Sequence, residues 1–241
     1  MKIKHAIAIA TAVAILAGAT PALAAGTGDD PRTTKDKATA LARAAERDYQ
    51  EWLADKEAAS GEVSIQAIIA PYKYFWTPSH AQEKDYYCGP ATVQVIDDFW
   101  GIAASQDRIA YYLGTTKAGT DFSKVDDALR FFTGRGYVYR TCASIYDFYG
   151  AVEYGMTNRG NPIAADVSID ATVWDNYVFS HAGHIIPVEA FDWRWNILRL
   201  NDPYSESYWR AGGGQTFGHR IYPKNQVATG VMSHFRHAIV Y

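Results

Sequence analysis

Two cysteines in 241 residues are too few for a disulfide-dense scaffold or for a four-cysteine zinc or iron–sulfur site. Charge of either sign is also sparse, with 20% charged residues and a net charge of −3, so no basic face is available to hold a nucleic acid. Beyond the first twenty-odd residues there is no apolar run long enough to span a bilayer, and no internal repeat. What is plentiful is aromatic and apolar content, 14% and 48% of the chain, which suits a compact domain rather than a disordered tail.

The N-terminus reads as an export signal. Lys2, Lys4 and His5 precede an apolar run over Ala6–Ala19, and Ala22-Leu23-Ala24 has the small-x-small form of a cleavage site. That run is shorter than the roughly 20 apolar residues of a spanning helix. The expectation is a secreted protein, with a signal peptide over residues 1–24 and no membrane association after cleavage. Removal of two lysines and no acid leaves 21 basic against 26 acidic residues, a net charge of −5.

Residues 25–60 read as a polar linker followed by a helix over Thr34–Ala58, capped by Thr34 or Asp36. Its thin apolar stripe is Leu41, Ala45, Tyr49, Trp52 and Leu53. It is read as packed on the domain, as a leader that restrains activity, or as a solvent-facing stalk. The main domain is expected over residues 61–241. There Val63–Ile68 alternates as a strand, and Tyr72, Tyr74, Phe75 and Trp76 form an aromatic loop. A helix over 89–100 has Pro90 in its first position and Gly101 as its stop. Further helices are expected over 105–113 and 123–132, with Ser105 and Ser123 as caps. Strands then dominate: 137–141, 162–167, 184–191, 196–200 and 238–240. Helices first and strands later indicate an α+β domain.

The chemistry concentrates around Cys88. A thiol where a helix begins meets unpaired backbone N–H groups and the positive end of the helix dipole, which favours thiolate. Gly89 leaves room for a substrate carbonyl. Gln82 is placed to donate its amide to an oxyanion beside the Cys88 N–H. His184 and Asp202 lie on consecutive strands with a polar turn near Trp193-Arg194. With a tight turn, paired positions sum to about 387, which sets Asp202 beside His184 to orient its ring. Gly183 leaves space in front of the histidine, and Tyr86-Tyr87 adjoin the thiol.

Gln82-x5-Cys88-Gly89-Pro90-Ala91, Gly183-His184-Ile185 and Asn201-Asp202-Pro203, with Gly119-Thr120 between, resemble the C39-like branch of papain-like cysteine peptidases over roughly residues 65–210. The resemblance implies a papain-like fold, with N-terminal helices carrying the cysteine and a C-terminal antiparallel sheet carrying histidine and aspartate. It implies Cys88 as nucleophile, His184 as base and acid, Asp202 as the orienting group and Gln82 as the oxyanion donor. Gly89, Tyr87 and Gly183 would line the substrate path. A peptide or protein, cell-wall associated or not, is the expected substrate, with no metal and no organic cofactor. The chain departs from papain proper in that the signature with a second cysteine and a bulky aromatic after the nucleophile is absent. It also carries no ATPase or membrane domain like those of the exporter-linked members, so maturation of double-glycine leaders is not expected.

Other readings of the same residues stay open: an acyl transferase on the same triad, or a non-catalytic binding protein with an aromatic cleft. A Cys88–Cys142 disulfide competes with the nucleophile reading, under which the two thiols are not joined and Cys142 is buried and inert. His181 has no sequence-adjacent carboxylate to make a metal site. His234 and His237 read as surface or strand-end residues, and the tryptophans Trp174, Trp193, Trp195 and Trp209 as packing or cleft residues. The export reading predicts that the protein recovered outside the cell begins at Ala25, which N-terminal sequencing and intact mass will check; a chain retaining residues 1–24 would refute it.

Overall fold

A computed structural model describes residues 71–241, Ala103 apart. The expected signal peptide, the Thr34–Ala58 helix and the Val63–Ile68 strand lie outside the described residues. The structure is a mixed helix and antiparallel-sheet domain, as the α+β expectation requires. Its helices are α1 (Cys88–Phe99), α2 (Gln106–Leu113), α3 (Val125–Thr133), α4 (Ile145–Thr157), the short α5 (Glu206–Trp209) and α6 (Lys224–Ser233). Its strands are β1 (Tyr72–Tyr74), β2 (Tyr139–Thr141), β3 (Ile163–Ile169), β4 (His181–Asp192), β5 (Ile197–Asp202), β6 (Gly218–Pro223) and β7 (Ala238–Val240). One sheet runs in the order β2-β7-β3-β4-β5-β6, with β1 paired to β4.

The central strands are apolar on consecutive positions because both faces are buried. Ala164 and Ile185 join Val93, Ile96, Ile109 and Leu129 in the layer made by α1, α2 and α3. Their neighbours Ala165 and Ile186 turn to the opposite face, where Phe148, Val152, Val227 and Val231 of α4 and α6 cover them. Each fully buried Val, Ile, Leu or Phe side chain among them contributes about 1.5–3 kcal/mol of burial.

Several local expectations need correction. Tyr72–Tyr74 is a strand, paired with Asp192–Ala190, rather than part of a loop. Cys88 is itself the first residue of α1, not the residue before it, so Pro90 sits in the first turn, where a missing N–H costs nothing. Ser123 is not a helix cap: Asp121 Oδ1 accepts from Ser123 N at 3.1 Å and starts a 3-10 turn that runs into α3. Ser105 does cap α2, accepting from Arg108 N at 3.3 Å.

Helices do not all precede strands. The aromatic segment 145–157 is helical because Ser144 accepts from Asp147 N and because Phe148, Val152 and Met156 recur every fourth residue on the buried side. Helix α6 and strand β6 were likewise not expected. His234 is buried rather than on the surface, with Nδ1 3.2 Å from an Asp166 carboxylate oxygen, because a buried acid on β3 needs polar partners. His237 does stand immediately before β7, in the left-handed region at φ 49°.

Gly155 on α4 lies against Tyr241, leaving no space for a side chain there. Gly155→Ala will therefore lower stability by about 1–3 kcal/mol, the usual cost of overpacking. Urea denaturation will check it; an unchanged midpoint would show that the C-terminal tyrosine moves aside freely.

Candidate active site

Cys88 and Cys142 are not joined to each other. Cys142 lies in the core on the α4–α6 side of the sheet, whereas Cys88 begins α1 on the other side; both are buried. One helical turn beyond Cys88, Thr92 donates its hydroxyl to the Ile185 carbonyl at 2.8 Å. Ile185 follows His184 directly, so this bond fastens the start of α1 to the strand that carries the histidine.

The β4–β5 hairpin places the acid. Asp192↔Ile197 to Ala190↔Arg199 pair with a sum of 389, and the register then shifts at Glu189 to Val188↔Leu200. The turn is looser than the tight one expected, with Asn196 at φ 55°. The bulge takes up one residue, and Asp202 meets His184 as anticipated: Nε2 lies 2.9 Å from Oδ1, with both side chains fully buried.

Asp202 is held from three directions. Oδ1 also accepts from Tyr204 N at 2.9 Å, and Oδ2 accepts from the Tyr177 hydroxyl at 2.5 Å. Burial first, and then the nearby Asp202 charge, push the Tyr177 phenol well above its ordinary range, so it stays a donor. A carboxylate only accepts, so Nε2 faces it as the donor and the second ring nitrogen is Nδ1. That atom is buried and has no hydrogen-bond partner among the described residues.

Gln82 is nearly buried and sits beside the same strand end, its backbone N donating to Pro203 O at 2.8 Å. Its side-chain Nε2 donates to Lys84 O at 2.8 Å, which leaves one N–H uncommitted. Asn201 points to the opposite face from Asp202 and ties down the approach to Gln82, donating Nδ2 to Thr77 O at 3.0 Å and accepting from Ser79 at 2.8 Å.

The space at Gly89 is filled by Thr120: a Cβ there would stand 2.5 Å from the Thr120 hydroxyl oxygen. Gly119-Thr120 is thus the segment that backs the first turn of α1. Tyr87 is buried, its hydroxyl 2.7 Å from Lys84 Nζ and 2.8 Å from Asp107 Oδ1. Gly183 is half-buried, directly before His184 on β4.

Sequence reasoning did not find Tyr177, Glu189 or Glu206. Tyr177 lies in an irregular loop whose sequence gives no signal. Glu189 sits at the hairpin bulge, fully buried, and accepts from Thr77, Arg199 and His219. Glu206 supplies the carboxylate that the sequence around His181 lacks, with Oε1 3.1 Å from His181 Nε2. It also accepts from the backbone N–H groups of Val178, Phe179 and Gly214, and so fixes the loop that carries Tyr177.

Burial pushes His181 down to about 4 against the opposing pull of Glu206, so at neutral pH the pair is a neutral imidazole on a carboxylate. The folded-state value lies below the ordinary 6.5. Unfolded chains then bind a proton that folded chains do not, and stability falls as pH drops from about 6.5 towards 4, by roughly 3 kcal/mol. Denaturant titrations across that window will show a shallower decline in His181→Gln; an identical decline would exclude this assignment.

Comparison with solved structures gives weak overall likenesses. The chain is similar to the peptidase domain of Streptococcus ComA, a bi-functional ABC transporter of a quorum-sensing pathway, at 14% identity over 69% of this chain and 97% of that one, with TM-score 0.46. It is similar to a double-glycine-motif protease from an AMS/PCAT transporter, solved with its leader peptide, at 13% identity over 70% and 91%, with TM-score 0.44. It is also similar to xylellain, a cysteine protease from Xylella fastidiosa, at 12% identity over 73% and 87%, with TM-score 0.49. No curated protein matches the chain. The family comparison covers most of the described domain, and with residues 74–225 matching its model, from β1 to the start of α6, the chain belongs to the Peptidase_C39 like family.

Proposed function

We propose that the protein is a secreted cysteine peptidase that cleaves a peptide or related amide bond through an acyl-enzyme on Cys88. The observation that carries this reading is the buried contact of His184 Nε2 with Asp202 Oδ1 at 2.9 Å. Asp202 holds the Nε2–H, which leaves Nδ1 as a base on the strand that Thr92 fastens to the Cys88 helix.

In the first step the Cys88 thiol proton passes to His184 Nδ1 as Sγ attacks the substrate carbonyl carbon. The carbonyl oxygen becomes an oxyanion, which the Cys88 N–H and the uncommitted N–H of Gln82 receive. Collapse of the tetrahedral species breaks the C–N bond, and Nδ1 returns the proton to the leaving amine. Water then gives a proton to Nδ1 and its oxygen to the acyl carbon, and the thiol is regenerated with release of the carboxylic acid. Asp202 stabilises the imidazolium formed in between without taking its proton.

Supporting the choice of peptide over other amides is the family. Export rests on the basic start and apolar run of the first 24 residues. Incubation with a proteome-derived peptide library, read by mass spectrometry, should give new termini with the unaltered protein and with Cys142→Ser. Cys88→Ala and His184→Ala should each lower turnover by about a thousandfold or more. Undiminished cleavage by Cys88→Ala would overturn the proposal.

A further inference from the structure

Of the donors that hold Asp202, the Tyr177 hydroxyl comes from furthest along the chain, 25 residues away. Its loop joins β3 to β4 and is pinned where Tyr177 N donates to Trp174 O at 2.9 Å. Glu206 pins the next two residues through their backbone N–H groups. The phenol ring is buried and stands edge-on to His184, with centroids 6.4 Å apart. From there its hydroxyl reaches the carboxylate oxygen that His184 does not use.

A carboxylate that gives charge to one donor has less to offer a second. What Oδ2 lends to Tyr177 is withheld from an imidazolium on Oδ1, so the phenol weakens the hold of Asp202 on a protonated His184. The proposed reaction needs proton transfer in both directions at Nδ1, from thiol or water and back to the leaving amine. A ring that binds its proton too tightly accepts it readily and returns it slowly. A phenyl ring at 177 would fill the same space but leave Asp202 Oδ2 with no donor from this loop.

We infer that Tyr177 is a positioning residue that, through Asp202, limits how tightly His184 holds a proton. Its consequence for turnover rests on the peptidase reading, whereas the coupling itself is measured on the ring. The groups that face the pair keep that measurement clear. His181, beside Glu206 and Arg210, is pushed by burial down to about 4. Burial first also raises the phenols: Tyr204, near Arg210 and Asp85, to about 12, and Tyr177 and Tyr222, the latter near Arg220 and Asp175, above their ordinary range. The Cys88 thiol at the start of α1 is removed by substitution.

In the full chain carrying Cys88→Ala, the histidines are labelled with nitrogen-15 and the His184 ring is titrated by NMR from about pH 4 to about pH 10. Its resonances are assigned by their loss in His184→Gln. The same titration is made with Tyr177→Phe, which removes the donor. It is made again with 3-fluorotyrosine in place of Tyr177, a nearly isosteric ring whose hydroxyl is the stronger donor.

Tyr177→Phe should raise the midpoint of the His184 ring by about one pH unit, a roughly tenfold tighter proton. The fluorinated ring should lower it, and decides alone if Tyr177→Phe does not fold. Midpoints unmoved within about 0.2 unit, shifts of the opposite sign, or a ring that keeps one charge state throughout would each overturn the inference. A shifted midpoint, in a protein whose unaltered chain cleaves no peptide in the library, supports the coupling and sinks the peptidase reading. An unmoved midpoint beside active cleavage sinks the coupling alone.

Discussion

A carboxylate stripped of water is the constraint around which this domain is arranged. Asp202 is fully buried, and a lone charge there would cost several kcal/mol. Its two oxygens are satisfied by an imidazole N–H from β4, a backbone N–H from Tyr204 and the Tyr177 hydroxyl. Those donors come from separate stretches of chain, so the strand register, the segment after β5 and the Tyr177 loop must all be in place together. The same set of contacts makes the histidine ring stand in one orientation.

Two histidines three residues apart meet opposite surroundings in consequence. His181 is spent on Glu206, a carboxylate that already receives three backbone N–H groups, and burial keeps it neutral. Its task is to help fix the loop from which Tyr177 reaches Asp202. His184 uses one nitrogen for its own carboxylate and keeps the other uncommitted beside the Cys88 helix. Chemically identical side chains are thus separated by which element supplies the acid: the start of α5 for His181 and β5 for His184.

The pairing of His184 with Asp202 was more legible in the sequence than the fold around it. Cys88, His184 and Asp202 sit where short-range rules act: a helix start, a strand and a hairpin whose two arms can be counted. The counting gave a sum of 387 against the observed 389 and 388, because the looser turn at Asn196 and the bulge at Glu189 each alter the pairing. Helix α4 was illegible for a different reason. Its aromatic and glycine-rich segment has poor intrinsic helix propensity and is helical through burial of Phe148, Val152 and Met156. Gly89 was read as room for substrate, whereas its missing side chain is filled by Thr120, a contact between segments that no local pattern encodes. Tyr177 and Glu206 escaped notice for the same reason, since their partners are more than twenty residues away.

Asn201 and Asp202 are neighbours on one strand and therefore look in opposite directions. One grips the chain at Thr77–Ser79 that leads to Gln82, and the other grips the ring of His184. Natural variation in length is consequently filtered by parity at this point. Adding or removing a single residue within β5 would exchange the two faces, turning an amide towards the histidine and a carboxylate towards carbonyl oxygens that can only repel it. Over evolutionary time, insertions and deletions should be tolerated in the loops flanking this hairpin, while the dipeptide and its spacing from the strand's start stay fixed.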